Sequence, residues 1–187
     1  MLTRDQAWTH LCAWTSSERL RRHALSVEAV MRDFALRHGE DPERFGIAGL
    51  LHDADYDQWP EEHPRRIVAW LEAQGERDLA EAIAAHYTRW GRPAESLMAR
   101  ALLASDEISG LVMACARVNP QGLAGLTVAS VQKKLRSPAF AAGVDRHEVA
   151  EGFRLLADQV GGTAEEHIQR VLSALANQPS LLEGPGF

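Results

Sequence analysis

The sequence predicts an all-α protein, and three observations carry the prediction. Apolar residues recur at helical spacing in nearly every segment between glycine and proline stops. Several segments open on helix N-cap signatures, including two capping boxes, Thr3 with Gln6 and Thr163 with Glu166. No stretch shows the period-two alternation of a half-buried strand.

The elements follow in order. Thr3 and Gln6 cap a first helix carrying Ala7, Trp8 and Leu11. A second starts near Ser16 or Ser17 and stops at Gly39. Its inward stripe holds Leu20, His23, Ala24, Val27, Val30, Met31 and Phe34. Asp41-Pro42 is an N-cap with proline at the first helical position. That third helix carries Phe45, Ile47, Ala48, Leu50 and Leu51, and ends on His52 and Asp53. Residues 54–63 read as an acidic loop. His63-Pro64 opens a helix with Ile67, Val68, Trp70 and Leu71 inward and Gly75 as its stop. The next, near 77–87, places Leu79, Ile83 and His86 on one stripe. A turn over 88–93 leads to a long helix over about 94–119, which Pro120 ends. A glycine-rich connection (122–126), a short helix (127–135) and an irregular stretch (137–143) follow. Two amphipathic helices, 145–160 and 163–176, complete the chain before a tail from Asn177 that reads as frayed.

Composition narrows the function classes. At 187 residues and 45% hydrophobic, the chain has enough apolar mass for a real core. A net charge of −6 points away from a nucleic-acid polymer as partner. Cys12 and Cys115 lie far apart with no metal-type spacing, which suits two small buried residues in a reducing compartment. The N-terminus has no apolar leader, and no run approaches the roughly 18 apolar residues of a membrane helix. A cytoplasmic location without membrane contact is expected.

The chemistry gathers around Gly49-Leu50-Leu51-His52-Asp53, where an apolar run ends in two costly polar side chains. His23, His86 and Asp106 each sit on the apolar stripe of a helix, where a polar group needs a partner. His63 stands at a helix start. The six residues His23, His52, Asp53, His63, His86 and Asp106 are nitrogen and oxygen donors suited to Fe, Mn, Mg, Co or Zn, without distinguishing among them. Six exceed the need of one tetrahedral zinc and suit two divalent ions with Asp53 as bridge.

The order His…His-Asp…Asp, set on helices, resembles the HD superfamily of metal-dependent phosphohydrolases. The matching residues are His23, His52, Asp53 and Asp106, the last within Ala104-Ser105-Asp106-Glu107. His63 followed by Pro64, then His86, is similar to the extra pair that supplies a second metal in dinuclear members. The resemblance implies an HD-domain helical bundle over residues 1–120. Residues 121–176 would be additional C-terminal helices on the same core, and 177–187 the tail. The whole chain looks like a group of small stand-alone bacterial HD hydrolases. It also implies hydrolysis of a phosphate ester by a metal-bridging hydroxide, with Asp53 and Asp106 as the catalytic carboxylates. The substrate expected is a small nucleotide-like or phosphorylated metabolite. Ala54-Asp55 stands where the common signature has Ile-Gly, and no Gly-Tyr-Pro follows, which points away from cyclic-di-GMP phosphodiesterases of the HD-GYP kind. The Glu-Asp pair of alarmone hydrolases is not evident.

Around this set, Arg66, Arg89, Lys133, Lys134 and Arg136 are candidates to hold a phosphate, against the plainer reading of solvated charges. Asp55 and Asp57 read first as solvated loop charges, with a role beside the metals as the alternative. Glu107 is turned roughly 100° from Asp106 and reads as surface or support. Tyr56, Trp59 and Trp90 could stack on a substrate ring or simply pack. Two other functions share the site: a mixed-valent diiron oxygenase, since the six-ligand order is similar to that of myo-inositol oxygenase, and a non-catalytic metal or nucleotide sensor. The C-terminal helices could cap the core or form a homodimer face.

Overall fold

The computed structural model describes residues 1–178 and 181. Among them lie nine α-helices and no strand: α1 (Arg4–Trp14), α2 (Glu18–His38), α3 (Pro42–Leu51), α4 (Arg65–Ala73), α5 (Arg77–His86), α6 (Leu97–Val118), α7 (Val128–Leu135), α8 (Arg146–Val160) and α9 (Ala164–Ala176). Short 3-10 turns occupy Thr88–Trp90 and Gly122–Gly125.

The termini form where local chemistry predicts. Thr3, Thr127 and Thr163 make reciprocal capping boxes, the second of them with Ser130. Asp41 accepts the Glu43 and Arg44 N–H groups ahead of Pro42. Gly39 closes α2 in the left-handed region, φ 72°. The long helix starts later than its periodicity suggests. Ser96, not Ala94, is its cap, and the Ala94 carbonyl instead accepts from Arg100 Nε at 3.0 Å.

α2 and α6 form the centre. α3 lies along α2, α8 lies along α6, and α5 and α9 close the remaining sides. The core joins Val27, Met31, Ile47, Leu50, Leu51, Ile67, Ile83, Leu102, Ile108 and Leu111, all fully buried or nearly so. Two glycines set the closest approaches. A Cβ on Gly49 would stand 2.9 Å from backbone atoms of Val27 and Glu28, so α2 and α3 meet only because that position is bare. Gly152 does the same for α8 against Leu103 and Ala104 of α6. At one edge buried Glu28 accepts from Arg4 at 2.7 and 2.9 Å and from Arg32 at 3.1 Å, tying α1 to α2.

Three expectations change. Trp70 is half-buried, because His10 of α1 stacks on it at 3.7 Å instead of the core closing over it. Cys12 is half-buried, not buried, whereas Cys115 is buried. Of the tail read as frayed, Asn177, Gln178 and Leu181 are described. Leu181 is buried against the core, and its N–H donates to Gln178 at 3.1 Å. The rest of 177–187 lies outside the described residues. No helix among the described residues is long and apolar enough to cross a membrane.

Candidate metal centre

Four helices and one turn deliver the six donors. His23 comes from the second turn of α2, and Asp106 from the middle of α6. His52 is the C-cap of α3, with Asp53 next to it. His86 is the last residue of α5, and His63 precedes α4. His52 is fully buried, and His63 and His86 nearly so.

Two histidines are oriented by their own helices. His52 Nδ1 donates to the Gly49 carbonyl at 2.7 Å, and His86 Nδ1 to the Ile83 carbonyl at 2.5 Å. Both carbonyls lie three residues back, at a helix end where such groups lack an intrahelical partner. With Nδ1 committed to a carbonyl, each ring turns Nε2 inward.

The inward atoms fall into two groups that share Asp53. His23 Nε2 lies 2.9 Å from Asp106 Oδ1 and 3.2 Å from His52 Nε2, and His52 Nε2 lies 3.3 Å from Asp106 Oδ1. Asp53 Oδ2 faces this group, 3.4 Å from His52 and 3.8 Å from His23. Its other oxygen, Oδ1, faces His63 Nε2 at 3.4 Å and His86 Nε2 at 3.6 Å. Donor atoms of His23, His52 and Asp106 lie within 4.8 Å of one another, as do those of His52, Asp53 and His86.

This donor set fits a divalent cation. Carboxylate oxygens and imidazole lone pairs converge in a largely buried space, an arrangement that repels itself unless positive charge sits inside it. The titration behaviour says the same. Burial alone would push His52 down, but Asp53 and Asp106 hold its imidazole well above its usual value. Burial would likewise raise Asp53 and Asp106, yet the facing histidines keep both well below the carboxylate range. A proton supplies the positive charge that a metal ion would otherwise bring.

A family model of the HD domain matches residues 20–114, which is half of the chain and contains all six donors. The chain belongs to the HD domain family. HD domains bind divalent metals and are typical of metal-dependent phosphohydrolases. No curated protein and no solved structure matches the chain.

The HD centre opens into a cleft of about 1150 Å³. Arg89 lines it, as the sequence suggested. Arg66, Lys133, Lys134 and Arg136 do not. Arg66 is exposed, held by Glu62 at 2.8 Å and lying over the Trp59 ring at 4.5 Å. Lys134 sits over Phe140, and Lys133 and Arg136 are exposed at the end of α7. Arg19, Arg22, Arg117 and Arg146 line the cleft instead. Spacing held the clue for Arg19, which lies four residues before His23 on α2.

Tyr56 and Tyr87 also line the cleft, and both pack edge-on against His63. Trp59 and Trp90 are outside it. Trp59 meets Trp14, and Trp90 lies beside the guanidinium groups of Arg65 and Arg92.

The far wall is residues 137–147, built around one side chain. The Arg146 guanidinium donates to the carbonyls of Ala141 (2.7 Å), Val144 (2.6 Å), Ser137 (3.3 Å) and Phe140. Glu107 joins this wall to the centre by accepting the Asp145 N–H at 3.0 Å. Burial and then the charge of Asp106 push its carboxyl up to about 8. Asp55 is not a solvated loop charge, and Asp57, though partly exposed, is bonded. Asp57 Oδ2 accepts from the Ser16 and Ser17 backbone and the Ser16 hydroxyl, fastening the loop to the start of α2. Asp55 is fully buried beside His63.

Proposed function

We propose that this HD protein is a metal-dependent phosphohydrolase acting on a small phosphorylated substrate, either nucleotide-like or another phosphorylated metabolite. One observation carries the reading: the two oxygens of Asp53 face two different donor groups, as a carboxylate shared by two cations must. His23, His52, Asp106 and Asp53 would hold one ion, and Asp53, His63 and His86 the other. Divalent ions there would polarise phosphoryl oxygens and lower the pKa of a water toward about 7.

The chain's own residues supply the rest. Arg89 and Arg19 are exposed on the cleft and offer guanidinium donors to phosphate oxygens. Tyr56 and Tyr87 give the substrate's organic part a flat wall beside His63. The 137–147 segment, held by Arg146, forms the far wall of the cleft. The cleft, at about 1150 Å³, slightly exceeds the roughly 300–1,000 Å³ of small-molecule pockets and has room for a metabolite-sized ligand.

The test is metal analysis of the purified protein, then turnover of phosphomonoesters and cyclic nucleotides with Mn, Fe, Co or Mg. Metal-stimulated phosphate release that His52→Ala abolishes is expected. A mixed-valent diiron signal in electron paramagnetic resonance, with oxygen uptake and no phosphate release, would favour an oxygenase. Ligand binding with no turnover of either kind would favour a sensor.

A further inference from the structure

We propose that Asp55 is the positioning residue that makes His63 a metal ligand, an inference resting on the dinuclear reading above. His52 and His86 stand at helix ends and use the carbonyl three residues back to fix their rings. His63 stands in a turn, and no carbonyl is bonded to its Nδ1. Its Nδ1 lies 2.7 Å from Asp55 Oδ1 instead. A carboxylate oxygen there requires the proton on Nδ1, so Nε2 keeps its lone pair and turns it toward Asp53 Oδ1 at 3.4 Å. Tyr56 and Tyr87 pack edge-on against the same ring, with centroids at 5.3 and 5.2 Å, and leave it one orientation.

Asp55 cannot be replaced by a simple hydrogen-bonding residue. Its second oxygen accepts the backbone N–H groups of Arg66 at 3.1 Å and Ile67 at 3.0 Å. These are first-turn donors of α4, whose cap position is Pro64 and provides no side-chain bond. Three donors therefore converge on one fully buried side chain, and only a carboxylate has an acceptor on both sides. Asparagine would turn its NH2 against either His63 or the α4 amides. The same carboxylate joins the helix start to the ligand, so the second half of the centre is assembled with α4. An anionic partner also makes the imidazole a stronger donor than a carbonyl partner would, and such supporting bonds are worth about 10–100-fold in metal affinity.

The experiment is calorimetric titration of metal-free protein with Mn²⁺, with metal content measured after gel filtration. Wild type takes up two ions. Asp55→Asn keeps the first and binds the second at least tenfold more weakly. His63→Ala shows the same loss, and the double variant is no worse than His63→Ala alone. Two-bond ¹H–¹⁵N spectra of the metal-free wild type read the ring directly and need no variant: His63 is the Nδ1–H tautomer. An Nε2–H tautomer there, or an Asp55→Asn protein that binds both ions within threefold of wild type, overturns the proposal alone. Fewer than two ions on wild type overturns the dinuclear reading and the proposal with it.

Discussion

At the scale of single residues, the centre depends on which atom of each side chain faces inward. Asp53 matters most because it offers one oxygen to each donor group. Asp53→Asn replaces one of those oxygens with a donor, and metal content falls from two ions per chain to below one. Asp106→Asn touches one group only and leaves the His63–His86 side able to bind. Elemental analysis of the two purified variants checks the difference. The six converging residues were legible in the sequence for different reasons: His23, His86 and Asp106 as polar groups on apolar stripes, His52 and Asp53 as the end of an apolar run, and His63 through the family resemblance. Asp55 was not, because an acidic residue between Asp53 and Asp57 looks like any loop charge. Its burial depends on how the turn folds back onto α4. The basic candidates were mostly misplaced for a similar reason. Arg66 is near His63 in sequence and Lys134 belongs to a basic cluster, but Glu62 and Phe140 hold them elsewhere.

At the scale of elements, two contacts set the geometry. Gly49 lets α3 approach α2 and also presents the carbonyl that orients His52. Gly49→Ala must push the helices apart, since its Cβ would stand 2.9 Å from backbone that cannot rotate away. A loss of about 1–3 kcal/mol in stability is expected, with weaker uptake at the His23 group, read by urea unfolding and Mn²⁺ titration. Arg146 does the corresponding work for the far wall. Arg146→Lys keeps the charge but loses the planar fork that reaches four carbonyls. Limited proteolysis should then cut residues 137–144 several-fold faster while the melting of the remaining helices changes little. The helices themselves were legible from caps and stops. The wall was not, because its order comes from one arginine that follows it in sequence.

At the scale of the whole molecule, stability depends on pH at places remote from the centre. His10, stacked on Trp70 and tilted against Trp14, is pushed down to about 4 by burial alone. His167, on Phe153, is also brought to about 4, by burial first and then by nearby Arg170. Both are neutral in the fold, whereas the unfolded chain protonates them near 6.5. Between those values the unfolded state binds more protons, so stability rises with pH there. The contribution is complete above about 6.5 and is lost as the pH falls toward 4. His10→Phe keeps an aromatic stack without the titrating nitrogen. It should narrow the gap in unfolding free energy between pH 7.5 and pH 5, measured in urea. The all-helical architecture was legible from periodicity, but the packing of α1 on α4 through this histidine was not, because a lone His on a helix gives no sign of which aromatic ring it will meet.

The central claim is that Asp53 is shared by two cations. Anomalous scattering from crystals of the Mn²⁺-loaded protein tests it most directly. Two peaks are predicted about 3.5–4 Å apart, one against Asp53 Oδ2 with His23, His52 and Asp106, the other against Asp53 Oδ1 with His63 and His86. A single peak within the His23 group, with His63 and His86 left without metal, would contradict it.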